Sequence, residues 1–88
     1  MSHHKDDPEK MAQLERWLKA ASDALDFDYD VIAEHQKELL NLISVVAHGP
    51  SRPGAPLTAY IVGYVAASTG ADTADLANTL KRLADDFS

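Results

Sequence analysis

Apolar residues recur at three- and four-residue spacings in four stretches of the chain, and breaks in that spacing separate the stretches. In the first, Met11, Leu14, Trp17, Leu18, Ala21 and Leu25 share one face, while Lys10, Gln13, Glu15, Arg16 and Lys19 point elsewhere. Asp7 is a suitable N-cap for this helix and Pro8 suits its first turn. The acid-rich run Asp26-Phe27-Asp28-Tyr29-Asp30 interrupts the pattern. A second stripe of Val31, Ile32, His35, Leu39, Leu42, Ile43 and Val46 follows, and Gly49 is placed to end it as a left-handed cap with Pro50 beyond. The segment Pro50-Ser-Arg-Pro-Gly-Ala-Pro56 reads as a rigid connection. The third stretch sets Leu57, Tyr60, Ile61, Tyr64 and Val65 on one face and Ala59, Val62, Gly63 and Ala66 on the other. A helix that is apolar all round is expected to be buried, with Gly63 admitting a close neighbour. The fourth opens with Asp72 and Asp75 as a capping pair, and Leu76, Leu80, Leu83, Ala84 and Phe87 form its stripe. No stretch alternates with period two. The expectation is an all-α, compact four-helix bundle with helices near 8–25, 30–48, 56–69 and 72–87, the third of them central. Residues 1–7 are expected to be a flexible polar leader and 8–88 a single helical domain.

Composition narrows the function more than it identifies one. The 88 residues have 45% hydrophobic and 25% charged side chains, as in ordinary globular proteins. A chain this short has room for one core. The absence of cysteine removes disulfides, thiolate metal sites and thiol nucleophiles together. A formal charge of −6 and the lack of basic patches interleaved with aromatics oppose nucleic-acid binding. The first ten residues have no apolar signal core, and no uninterrupted apolar run is long enough to span a membrane, so a cytoplasmic location is expected.

Candidate chemistry is sparse. Between Leu39 and Ala71, Arg52 is the only Asp, Glu, Lys or Arg. His48, Arg52 and the N-terminus of the third helix around Thr58 can together hold an anion, because free N–H groups and a guanidinium fork both suit phosphate or carboxylate. The alternative is that His48 and Arg52 cap the last carbonyls of the second helix. The Asp26-x-Asp28-x-Asp30 spacing imitates the start of a calcium loop but has Val31 and Lys37 where such a loop needs Gly and Glu. His35 and His48, on one helix, would lie about 20 Å apart along its axis and cannot share a metal. No phosphate-binding loop, dinucleotide fingerprint or nucleophile elbow is present. No catalytic residue, metal or cofactor is therefore assigned, and the chain is not expected to be an enzyme. If neighbouring helices leave the third one partly uncovered, Pro53, Pro56, Leu57, Tyr60 and Tyr64 offer a contact surface for another chain.

The run Ala47-His48-Gly49, Arg52-Pro53, Ala55-Pro56-Leu57-Thr58 and then Gly63 resembles the signature of a small bacterial domain family of unknown function. Its members are of about this size and stand alone or are fused to a nucleotidyltransferase similar to molybdopterin-guanine-dinucleotide synthase. The likeness extends over residues 14–86, and the chain has Gly54 where alanine is common. What it implies is a helical accessory module near molybdenum-cofactor maturation, with such a nucleotidyltransferase as partner; it supplies no catalytic residues. Two functions are carried forward. One is a non-catalytic interaction module that uses the charge-poor third helix and the His48–Thr58 loop, its partner being an unidentified protein or a second copy. The other is a small anionic-ligand or nucleotide-binding domain centred on Arg52, His48 and the N-terminus of the third helix.

Overall fold

The computed structural model describes residues 8–87, so the leader expected over residues 1–7 and the N-cap expected at Asp7 lie outside the described residues. The chain is all-helical: α1 (Pro8–Leu25), α2 (Asp30–Ala33), α3 (Gln36–His48), α4 (Gly54–Thr69) and α5 (Thr73–Asp86). It divides into two compact units that meet in sequence at Ala33 and Glu34. Among the described residues no helix is long and apolar enough to cross a membrane.

In the first unit, α1 half-buries Met11, Leu14, Leu18 and Ala21. Trp17 and Leu25, expected in the same stripe, are instead 66% and 75% exposed. Trp17 lies at the margin of the stripe and Leu25 is the last helical residue, which accounts for both. The helix ends in a Schellman-type turn, with the Phe27 N–H donating to the Ser22 carbonyl at 2.9 Å and Asp26 in the left-handed region at φ 60°. The buried Ser22 hydroxyl donates to the Lys19 carbonyl at 2.8 Å. Lys19 itself reaches the Glu15 carboxylate at 3.5 Å and lies 5.5 Å from the centre of the Tyr29 ring.

The helix expected over 30–48 is interrupted. Asp28 accepts the Asp30 N–H on its side chain at 3.0 Å, and the Val31 and Ile32 N–H groups reach back only three residues, to Asp28 and Tyr29. That tight turn ends at Ala33, and His35 has φ −115° and ψ 11°, outside the helical region. No glycine or proline marks the break in the sequence. His35 is paired through Nδ1 with the Glu38 carboxylate at 3.0 Å.

The second unit packs α3, α4 and α5 against one another. Its core is Leu42, Val46, Ala55, Val62, Ala77 and Ala84, with Leu39, Ile43, Val45, Ala47, Leu76 and Leu80 packed around it. Three of the six core residues are alanines, so the helices approach closely and little volume is enclosed. Leu42 and Val62 are the largest fully buried side chains.

This packing reverses the expectation for α4, the third predicted helix. Ala55 and Val62 face inward, whereas Leu57, Tyr60, Ile61 and Tyr64 are 64%, 72%, 49% and 63% exposed. The helix lacks charge but is not buried all round, because α3 and α5 cover only the side that carries its small residues. Gly63 does not admit a neighbour within the chain either: a Cβ built there meets nothing within 4 Å. The remaining punctuation is as follows. Gly70 closes α4 at φ 78°, and the Asp72 side chain caps α5 by accepting the Asp75 N–H at 3.1 Å. Gly49 is not the left-handed cap that was expected; it has φ −115° and ψ −105°, and a Cβ there would lie 3.0 Å from the Val45 carbonyl oxygen. Phe87, expected within the last stripe, follows the end of α5 and is exposed.

Two stability predictions follow from these positions. Leu42→Ala is expected to cost about 3 kcal/mol in denaturant unfolding, because the close alanine contacts around it cannot collapse into the space left. Asp26→Gly is expected to raise stability by about 1 kcal/mol, since glycine adopts the positive φ without a Cβ penalty. A loss of stability in Asp26→Gly would show that the aspartate side chain, rather than its backbone conformation, holds that turn.

Candidate functional site

The connection from α3 to α4 is shorter than the sequence suggests, because α4 begins at Gly54 and takes Pro56 into its first turn. Proline is tolerated there, since an N–H in the first turn has no partner within the helix. Residues 49–53 remain as the loop, and hydrogen bonds close it at both ends. The Val46 carbonyl accepts both the Gly49 N–H at 3.2 Å and the Ser51 N–H at 3.1 Å. The Ser51 hydroxyl oxygen accepts the Gly54 N–H at 3.1 Å, and the Arg52 carbonyl accepts the Ala55 N–H at 3.2 Å.

These bonds decide what the N-terminus of α4 can bind. Its first two N–H groups are taken up by Ser51 and Arg52, and the third position is Pro56, which has no N–H. The donors that make a helix N-terminus receptive to an anion are therefore already satisfied. His48 turns back onto its own helix, its Nδ1 lying 2.8 Å from the Ser44 carbonyl oxygen and 3.5 Å from Ser44 Oγ. With an N–H at Nδ1, the ring donates to that carbonyl and its orientation is fixed. The Thr58 hydroxyl donates to the Gly54 carbonyl at 2.8 Å. The Arg52 side chain is exposed, and among the described residues it makes neither a hydrogen bond nor an ion pair. His48, Arg52 and Thr58 lie near one another in sequence, but the structure gives them no common target. His48 is engaged within its own helix and Arg52 is not.

The concave feature beside this loop is apolar. An open groove of about 210 Å³ is lined by Val46, Pro50, Thr58, Leu80, Leu83 and Phe87, among others; neither His48 nor Arg52 reaches it. The hydroxyls at its rim, Ser51 and Thr58, are both occupied by Gly54. Among the described residues no group of three or more His, Cys, Asp or Glu side chains is placed to hold a metal ion. The acids at 26, 28 and 30 serve the turn between α1 and α2 instead.

The outward side of α4 is the remaining feature. Leu57, Tyr60 and Tyr64 recur at three- and four-residue steps, with Pro56 and Gly63 on one flank and Ile61 on the other. Pro53 stands just before the helix, exposed. Four large apolar side chains on three successive turns, with no charge among them, form a contiguous patch of a kind that soluble proteins seldom leave uncovered. Each tyrosine presents an apolar ring with a polar tip, a combination common at protein contacts. The sequence reading named Leu57, Tyr60 and Tyr64 as a surface while expecting the helix to be buried; Ile61 belongs with them, and its place beside Tyr64 on the helical wheel was the available signal.

Residues 9–88 match the model of a family described as "Domain of unknown function (DUF6457)". The chain belongs to this family. No curated protein and no solved structure matches it. Membership agrees with the expectation of a small domain family of unknown function and attaches no chemistry to any residue.

With the first N–H groups of α4 occupied, phosphate and GTP should leave the melting temperature unchanged. A site filled at 100 times its dissociation constant would add about 2.7 kcal/mol and be plain in a thermal-shift assay. Arg52→Ala should change stability by less than about 0.5 kcal/mol, as an exposed side chain without partners would. A ligand-dependent shift that Arg52→Ala abolishes would restore the anion site.

Proposed function

We propose that this domain is a non-catalytic interaction module whose contact surface is the outward face of α4, extended by the loop that leads into it. The observation that carries this reading is the exposure of Leu57, Tyr60, Ile61 and Tyr64 on a helix without a charged residue. Burying a large apolar side chain is worth about 1.5–3 kcal/mol, so a partner covering these four gains enough to offset the ordering it imposes. The hydrogen bonds that pin the loop support the same reading. A contact surface ordered before binding loses little entropy on association.

The partner class comes from the resemblance of the segment from Ala47 to Gly63: a nucleotidyltransferase of molybdenum-cofactor maturation, which the domain would assist without contributing catalytic groups. A cytoplasmic location accompanies that role. Within the second unit, the packing of α3, α4 and α5 leaves one side of α4 open. The anion-binding alternative has less support, because the N–H groups at the start of α4 are occupied and His48 is turned to Ser44, which leaves Arg52 alone.

Calorimetric titration with such a nucleotidyltransferase, together with hydrogen exchange, tests the reading. Binding should slow exchange across α4, and Leu57→Glu or Tyr64→Glu should weaken it about tenfold or more, while Arg52→Ala leaves it unchanged. If the enzyme binds both glutamate variants as tightly as wild type, the face of α4 is not the contact surface. If it does not bind the wild-type chain, the enzyme is not the partner.

A further inference from the structure

Resting on that reading of the α4 face, we propose that in the free domain its occupant is a second copy of this chain, packed α4 against α4 about a twofold axis and displaced when an enzyme partner binds. Charge is the first reason. The chain carries a formal charge of −6, so two copies repel wherever acidic surfaces meet. A twofold interface sets one patch against itself, and a charged residue near its axis faces its own like. From Gly54 to Thr69 α4 has no Asp, Glu, Lys or Arg, and the nearest acid in sequence is Asp72, beyond the end of the helix. A partner recognised by complementary charge would find nothing on this helix to pair with. A neutral apolar face is electrostatically complementary to its own copy.

Area is the second reason. Leu57, Tyr60, Ile61 and Tyr64, each between half and three-quarters exposed, present roughly 500 Å². Two copies facing each other would hide roughly 1,000 Å², which is the lower bound for a specific interface and implies a dimer sensitive to concentration. The third reason is Gly63. Its backbone is ordinary helix, and a Cβ there would meet open space, so neither conformation nor packing within one chain calls for glycine. A second helix crossing beside Tyr60 and Tyr64 would use the missing side chain to approach closely.

Sedimentation velocity on the whole chain, from about 1 μM to about 1 mM, tests this. The dimer fraction is expected to rise with concentration. Tyr64→Glu should weaken dimerisation about tenfold or more with helical content unchanged. Gly63→Leu should do the same while improving helix propensity, so its effect cannot come from unfolding. A wild-type chain that sediments as a monomer throughout overturns the proposal, and so does a dimer that both variants leave intact. The first of these results leaves the α4 face available to a different protein. The reading beneath the proposal falls separately, when glutamate at Leu57 and Tyr64 changes neither self-association nor enzyme binding.

Discussion

A core in which Leu42 of α3 and Val62 of α4 are the largest fully buried side chains, clustered with Ala55, Ala77 and Ala84, sets the conditions for the rest of the second unit. Alanines at a helix–helix contact bring the backbones close and leave no room for aromatic rings between them. The larger side chains of α4 therefore cannot face inward; they are the surplus of a core built from small residues. The same close packing holds the ends of α3 and α4 near one another, and a five-residue loop is enough to join them. The exposed apolar face and the pinned loop thus follow from one choice of core residues.

The loop shows how hydrogen bonding can remove a site that the sequence suggests. A helix N-terminus beside an arginine and a histidine is a reasonable place for an anion. Here the free donors go first to Ser51 and to the Arg52 carbonyl, and proline occupies the next position. His48 turns to Ser44 in its own helix. What remains is a hydrogen-bonded loop leading to an exposed apolar face. The apolar groove beside it is lined by the end of α5, and the two hydroxyls at its rim, Ser51 and Thr58, each already hold one bond to Gly54.

An uncharged helix in an acidic chain invites two explanations, burial inside the domain or burial against another chain. The side-chain exposures of α4 speak against the first within its own unit, and the second is the one proposed above. The proposed pairing would also give Gly63 a close neighbour, the usual return for glycine's low helix propensity.

Much of the architecture was written in the sequence. The period of the apolar residues gave the all-helical class, and Asp72 and Gly70 marked their helix ends through local chemistry that needs no tertiary partner. The interruption at Glu34–His35 was not legible, since no glycine, proline or other helix-breaking residue marks it. Periodicity also showed that α4 has two apolar sides without showing which would be covered. Hydropathy ranks Tyr60 and Tyr64 with the core, and only the packing of α3 and α5 against Ala55 and Val62 placed them outside. Period and capping are properties of neighbouring residues, whereas the choice of buried face depends on the volume that other helices leave free, and that volume exists only once the helices have packed.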